Sequence, residues 1–216
     1  MKKLIAYDLD GTLVDTREDI VRAANYMLSV MGREPLAADK IHSYVGHGLH
    51  DLIKSCLASS DEKEIEKGAK VYRRYYGEHM MDSTCLYPGS LEVLEHFKDR
   101  RQMVITNKPS PFSEEMLEKL GVAPYLSVIL TGSSKHPPKP DPTAFLQALS
   151  SQGVRPEEAL LVGDSEVDLE TGRRAGVDTA LIAHGFVRRD KLESHRPEWL
   201  VDTFKDFLSL AKAKAW

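Results

Sequence analysis

Short unbroken apolar runs recur along the chain, separated by stretches whose apolar residues return every three or four positions. The runs are KLIAY (3–7), QMVIT (102–106), LSVIL (126–130), ALLVG (159–163) and DTALIA (178–183). None alternates with polar residues, so each reads as a strand buried on both faces. The stretches between them, SLEVLEHFKDR (90–100), SPFSEEMLEKLG (110–121), PTAFLQALSSQG (142–153) and EVDLETGRRAG (166–176), carry helical periodicity. From residue 88 onward strand and helix alternate, which predicts an α/β fold with a parallel sheet covered on both sides.

Residues 15–82 break that rhythm. TREDIVRAANYMLSVMG (16–32), LHDLIKSCLASS (49–60) and DEKEIEKGAKVYRRYYGEHMMD (61–82) all read as amphipathic helices with no strand between them. Thr16 and Asp19 have the spacing of a capping box. The pattern therefore predicts a sheet-bearing core from residues 1–14 and 83–216, with 15–82 inserted after the first strand as a helical domain. Hinges are expected near Val14 to Thr16 and Asp82 to Pro88.

Composition narrows the function classes. At 216 residues and 42% hydrophobic, the chain can bury a sizeable core. A net charge of −4 offers no basic face for nucleic acid. The N-terminal apolar stretch, Leu4 to Tyr7, is far too short for a signal-peptide core or a membrane span. Cys56 and Cys85 lack C-x-x-C spacing and indicate neither a zinc site nor a disulfide framework. The expectation is a cytoplasmic monomer or homodimer acting on a small soluble partner.

The chemistry gathers where strands end. In a doubly wound sheet ligands bind beyond the carboxyl ends of the strands. Those positions hold Asp8 and Asp10, then Thr106-Asn107-Lys108-Pro109, then TGSSKHPPKPDP (131–142), then Asp164-Ser165. Asp8 and Asp10 share a face if the strand continues that far. With Asp164 they make three carboxylates that repel unless a cation sits among them. Oxygen ligands without His or Cys favour Mg²⁺, and an acid-bound metal beside a lysine and a hydroxyl suits phosphate. Other readings stand beside these. Asp10-Gly11 is also a hairpin-turn signal, Thr106 an ordinary strand-end threonine, and Asp164 or Asp168 an acid at a helix start. Lys108 and Lys135 compete with Lys139 for a phosphate.

Together DLDGTLVDT, VITNKP, KPDP and VGDSEVDLETGRRAG resemble, in order and spacing, the four motifs of the haloacid dehalogenase-like hydrolase superfamily. The resemblance implies a Rossmann-like core with an inserted helical cap domain. It implies Asp8 as the nucleophile that forms an aspartyl-phosphate, and Asp10 as general acid and base. Thr106, Asn107 and Lys139 would neutralise the transferring group, and Mg²⁺ would be held by Asp8, the Asp10 backbone carbonyl and Asp164, with Asp168 at or just behind it. Dehalogenase and phosphonate-cleaving members lack an acid at the position of Asp10, so its presence implies phosphoryl transfer, a property shared with the sugar phosphomutases.

Within the insertion, SYVGHGLHDLI (43–53) resembles the V-G-x-G segment of the phosphoglycolate phosphatase branch. That implies a phosphatase for a small phosphorylated metabolite, with Gly46 and His47 as substrate contacts; a glycine-rich hinge is the structural alternative. The chain departs from the branch at His42, where arginine is common, and at His47, where asparagine is common. Arg73 and Arg74 are further anion candidates. A phosphatase for nucleotides or pyrophosphate fits the same motifs. A phosphorylatable receiver domain also pairs an acceptor aspartate with Mg²⁺, Thr and Lys, but it is shorter and has no helical insertion.

Overall fold

β1 (Leu4–Tyr7) lies near the middle of a six-stranded parallel sheet, as its uninterrupted apolar run requires. The computed structural model describes residues 1–216. After β1 the chain makes a turn into β2 (Val14–Asp15) and then four helices, α1 (Arg17–Val30), α2 (Ala38–His42), α3 (Leu49–Leu57) and α4 (Glu62–His79). It returns through β3 (Cys85–Leu86) and builds the rest of the sheet: α5 (Ser90–His96), β4 (Arg101–Ile105), α6 (Phe112–Lys119), β5 (Val128–Leu130), α7 (Thr143–Ser151), β6 (Ala159–Gly163), α8 (Glu166–Ala175), β7 (Asp178–Ile182), α9 (Arg189–Ser194), β8 (Trp199–Val201) and α10 (Phe204–Lys214).

The strands lie in the order β5-β4-β1-β6-β7-β8. The chain thus winds outward one way from β1 to β5, then the other way from β6 to β8. The direction of winding reverses between β1 and β6, registered with Leu4 opposite Ala159 and Tyr7 opposite Val162, and a crevice must open at their carboxyl ends.

Strand periodicity divides the core. Ile5, Tyr7, Val104, Leu160 and Val162 point to one side and pack with Val93 and Leu94 of α5 and Phe204 and Phe207 of α10. Leu4, Ala6, Met103, Ile105 and Leu161 point to the other, against Phe145 and Leu149 of α7. The first of these clusters continues without a break into the inserted helices through Ile20, Met27, Ile53, Leu57, Ile65 and Tyr72. On α4, Gly68 sits where a Cβ would come within 3.0 Å of both Ile53 and Leu57, so its lack of a side chain lets α4 approach α3 closely.

Several expectations need correction. Asp10-Gly11 makes no hairpin: Gly11 takes φ +85° in a turn closed by Gly11 N–H to Val14 O, but β1 pairs only with parallel neighbours. Thr16 and Asp19 form no capping box. The Thr16 hydroxyl donates to Asp10 at 2.8 Å, and the buried Asp19 carboxylate accepts from the backbone N–H groups of Ser83 and Thr84 and the Thr84 hydroxyl. One carboxylate thereby ties the exit of the insertion to its return, next to the antiparallel pair Val14–Leu86 and Asp15–Cys85. The last strand, β8, escaped the sequence reading because its three residues are half-buried at the sheet edge. The five-residue α2 is too short to show a period.

Candidate active site

Asp8 follows the last residue of β1, and Asp164 follows the last residue of β6, so the reversal of winding brings them together. Asp168 joins them from the first turn of α8; one carboxylate oxygen from each of the three lies within 4.8 Å of the others. Each is held by specific donors. The Leu9 N–H reaches Asp8 Oδ1 at 2.7 Å. The Thr12 hydroxyl and the Phe186 N–H grip the two oxygens of Asp164 at 3.0 and 2.8 Å. This fit leaves no spare volume: a Cβ on Gly185 would stand 2.1 Å from Asp164 Oδ2, and one on Gly11 2.4 Å from it.

Asp168 answers two readings at once. It completes a capping box with Ser165 at the start of α8, and its other oxygen accepts from Lys139 Nζ at 2.6 Å. Lys139 Nζ also stands 3.0 Å from Asp8 Oδ1, so one buried ammonium bridges the two acids. Burial pushes the Asp8 carboxyl up to about 7, against the pull of Lys139 and with Asp168 adding like-charge repulsion. Burial raises Asp164 as well, reinforced by Asp8 and Asp168. For Lys139, burial alone would lower the ammonium, but Asp168 and Asp8 outweigh it and hold it above its ordinary value.

Asp10 turns to a second lysine. Lys108 Nζ donates to Asp10 Oδ1 and Oδ2 at 2.9 and 3.2 Å and to the Tyr76 hydroxyl of α4 at 2.7 Å. Thr106, just past β4, accepts from the Lys108 N–H, and its own hydroxyl proton has no protein acceptor. The Asn107 carboxamide is fully committed: its Nδ2 donates to Gly46 O at 2.8 Å and Lys139 O at 2.9 Å, and its Oδ1 accepts from the Lys139 N–H. What Asn107 leaves for a ligand is its backbone N–H. Gly132 packs against that backbone, where a Cβ would fall 2.3 Å from Asn107 O.

Asp8, Asp10, Thr106, Asn107 and Lys108 line a cavity of about 60 Å³, closed from the insertion side by Val45, Gly46, Gly48, Leu49, Tyr72 and Tyr76. His47 does not line it. His47 and His42 face a different groove on the outer side, against Phe186, Arg188 and Lys191. Arg73 and Arg74 are exposed on α4, Arg74 paired with Glu78. Lys135 is exposed in the loop before Lys139. The sequence reading missed Thr12, Tyr76, Gly185 and Phe186. Thr12 sits inside the acidic motif DLDGTLVDT, whose carboxylates give the stronger signal; Gly185 and Phe186 lie just past β7, where no acid, hydroxyl or lysine marks the strand end.

The three acids fit a small divalent cation. Their donors are all hard oxygens, no His or Cys stands among them, and Lys139 alone leaves Asp8 and Asp164 short of positive charge. Asp8 and Asp164 are the groups that would hold it, Asp168 being engaged by Lys139 and Ser165.

Comparison with known proteins agrees with this geometry. Residues 5–182 match the family described as Haloacid dehalogenase-like hydrolase. Over its full length the chain is 32% identical to Phosphoglycolate phosphatase 1 of Pseudomonas aeruginosa, covering 82% of that protein. It is 34% identical to the Phosphoglycolate phosphatase of Aquifex aeolicus, over 96% of each chain. A crystal structure of a predicted phosphoglycolate phosphatase from Haemophilus somnus superposes with a TM-score of 0.92 at 28% identity, covering 97% of this chain and 98% of that one.

Proposed function

The chain belongs to the haloacid dehalogenase-like hydrolases, and from that premise we propose that it is a Mg²⁺-dependent phosphatase for small, phosphoglycolate-like phosphomonoesters, working through a phosphorylated Asp8. The observation that carries this reading is the grouping of Asp8, Asp164, Asp168 and Lys139 at one end of β1 and β6.

Asp8 attacks phosphorus in line, dividing one difficult hydrolysis into two displacements. Its Oδ1 is fixed by the Leu9 N–H and Lys139, which leaves Oδ2 to attack. Negative charge on the transferring group meets the Thr106 hydroxyl, the Asn107 backbone N–H and the remaining donor of Lys139, all set in place before substrate arrives. Asp10 gives a proton to the leaving oxygen and later takes one from the attacking water. Mg²⁺, held by Asp8, Asp164 and the Asp10 carbonyl, would screen the carboxylates from the phosphate and withdraw charge from a phosphate oxygen. Asp168 orients Lys139 from behind.

The inserted helices serve as a cap. Their wall over the cavity excludes water from the intermediate. The cavity of about 60 Å³ favours a two- or three-carbon ester over a nucleotide or a hexose phosphate. The test is phosphate release from a panel containing phosphoglycolate, sugar phosphates, nucleotides and pyrophosphate, with and without Mg²⁺. Metal-dependent turnover with phosphoglycolate or a close analogue ahead of the panel is expected. No turnover on any member, or a preference for nucleotides, would overturn the assignment.

A further inference from the structure

We infer that Lys108 and Tyr76 together form the seat for an anionic group on the leaving half of the substrate, so that the favoured substrates are short phosphoesters carrying a carboxylate next to the ester carbon. This rests on the phosphatase reading above and assigns the residues that give it specificity.

Among the side chains that line the catalytic cavity, Lys108 is the sole cation. Its side chain is 6% exposed, so its charge is directed inward and poorly screened by water. An ammonium has three N–H donors. Lys108 directs them at Asp10 Oδ1, Asp10 Oδ2 and the Tyr76 hydroxyl, at 2.9, 3.2 and 2.7 Å, and the longest, the second bond to the same carboxylate, is the one a ligand anion would take over. The Tyr76 hydroxyl accepts from Lys108, and its own proton has no acceptor within the protein. A buried ammonium and a hydroxyl proton with no acceptor in the chain therefore converge on one wall of the cavity.

Their position relative to the chemistry fixes the ligand. The oxygen leaving phosphorus must come within about 2.6–3.2 Å of the Asp10 carboxylate to take its proton. Lys108 Nζ lies 2.9 Å from that same carboxylate. A group one or two bonds beyond the ester oxygen thus falls beside Nζ, and a carboxylate there would be bridged to Asp10 through the ammonium. The site already contains this arrangement once, with Lys139 bridging Asp8 and Asp168. The surrounding Val45, Leu49 and Tyr72 leave little room for anything bulkier than a short chain. The candidate anion partners read from sequence lie elsewhere: His47 on the outer groove, Arg73 and Arg74 on the exposed side of α4.

The test compares phosphoglycolate with ethyl phosphate, which has two carbons and no carboxylate, on wild type, Lys108→Met and Tyr76→Phe. A site that hydrogen-bonds a buried polar group rejects an analogue lacking it, and discrimination of 100-fold or more is within reach of such contacts, so Lys108→Met should lose at least about 30-fold more kcat/KM on phosphoglycolate than on ethyl phosphate. Tyr76→Phe, which keeps the ring, should show a selective loss of roughly three- to tenfold, mainly in KM, in line with one neutral hydrogen bond. Lys108→Arg should recover part of the preference. Calorimetric titration of the two esters into Asp8→Asn, with and without Lys108→Met, should show the same selective loss in affinity with no turnover involved. If Lys108→Met does not fold, Tyr76→Phe carries the comparison. Equal losses on both esters, or a wild type with no preference for phosphoglycolate while hydrolysing ethyl phosphate, would overturn the seat and leave the phosphatase intact. Absence of hydrolysis of both by wild type would remove the phosphatase reading itself.

Discussion

Two buried lysines serve this site under different constraints. Lys139 sits between Asp8 and Asp168, which come from the end of β1 and the first turn of α8 at the carboxyl edge of the sheet. Lys108 sits between Asp10 and Tyr76, and Tyr76 belongs to the inserted helices. The first centre is complete in the core alone; the second takes one of its groups from the inserted helices. Under the proposed function, chemistry common to all phosphoesters is separated from recognition of a particular one.

Removing the proposed nucleophile breaks the first centre outright. Asp8→Asn should lower kcat by at least about 10⁴-fold with an unchanged circular dichroism spectrum, the scale seen when a covalent nucleophile is deleted. Activity within tenfold of wild type would assign the phosphoryl acceptor elsewhere. Asp10→Asn reaches into the second centre. It should cost about 10²- to 10⁴-fold on alkyl phosphates and far less on p-nitrophenyl phosphate, whose leaving group needs no proton. Equal losses on both would deny Asp10 the acid role.

Gly185→Ala probes the support of the first centre without touching the substrate. Its Cβ would stand 2.1 Å from Asp164 Oδ2. Displacing a ligating carboxylate through its support should raise the Mg²⁺ concentration for half-activity about 10- to 100-fold, while leaving the ratio of phosphoglycolate to ethyl phosphate rates unaltered. A changed ratio would mean that the two centres are coupled.

The smallest effect is on stability. The Asp8 carboxyl titrates near 7 in the folded chain against 3.8 for the ordinary group. The folded state therefore holds this proton longer than the unfolded one, and the stability it contributes is full below about pH 4 and lost as pH rises through 7. Mg²⁺ replaces that proton as the source of positive charge, so the gain in Tm on adding Mg²⁺ should grow between pH 5 and 7.5. At 100 times Kd the gain is about 2.7 kcal/mol, or roughly 5–10 °C for a chain of this length. A metal-induced shift that is flat across this range, or identical in Asp8→Asn, would contradict the charge accounting around Asp8.

The sheet was legible because its strands are buried on both faces, and an apolar run such as ALLVG at 159–163 has few alternatives. The placement of Asp8 and Asp164 followed from where such runs stop. The insertion was legible as helices, but its contacts were not. By periodicity Tyr76 is one more apolar position on α4, and only the three-dimensional path of that helix turns its hydroxyl toward Lys108. His47 drew notice for its flanking glycines, yet sequence adjacency to Gly46 does not fix which side of a loop a side chain takes. Asn107 shows the same limit: nothing in TNKP says that its carboxamide will be consumed by Gly46 O and by both backbone groups of Lys139.

The Asp19 carboxylate has a consequence for how such chains can be recombined. Because it staples Ser83 and Thr84 to the first turn of α1, beside the Val14–Leu86 pair, the whole excursion between them is fastened at one neck. A transplant of this excursion from a relative should succeed when the joints fall outside Val14 and Leu86 and carry Asp19 and Thr84 as a set. Joints that take Asp19 from one parent and Thr84 from the other would strand a buried charge and loosen the neck.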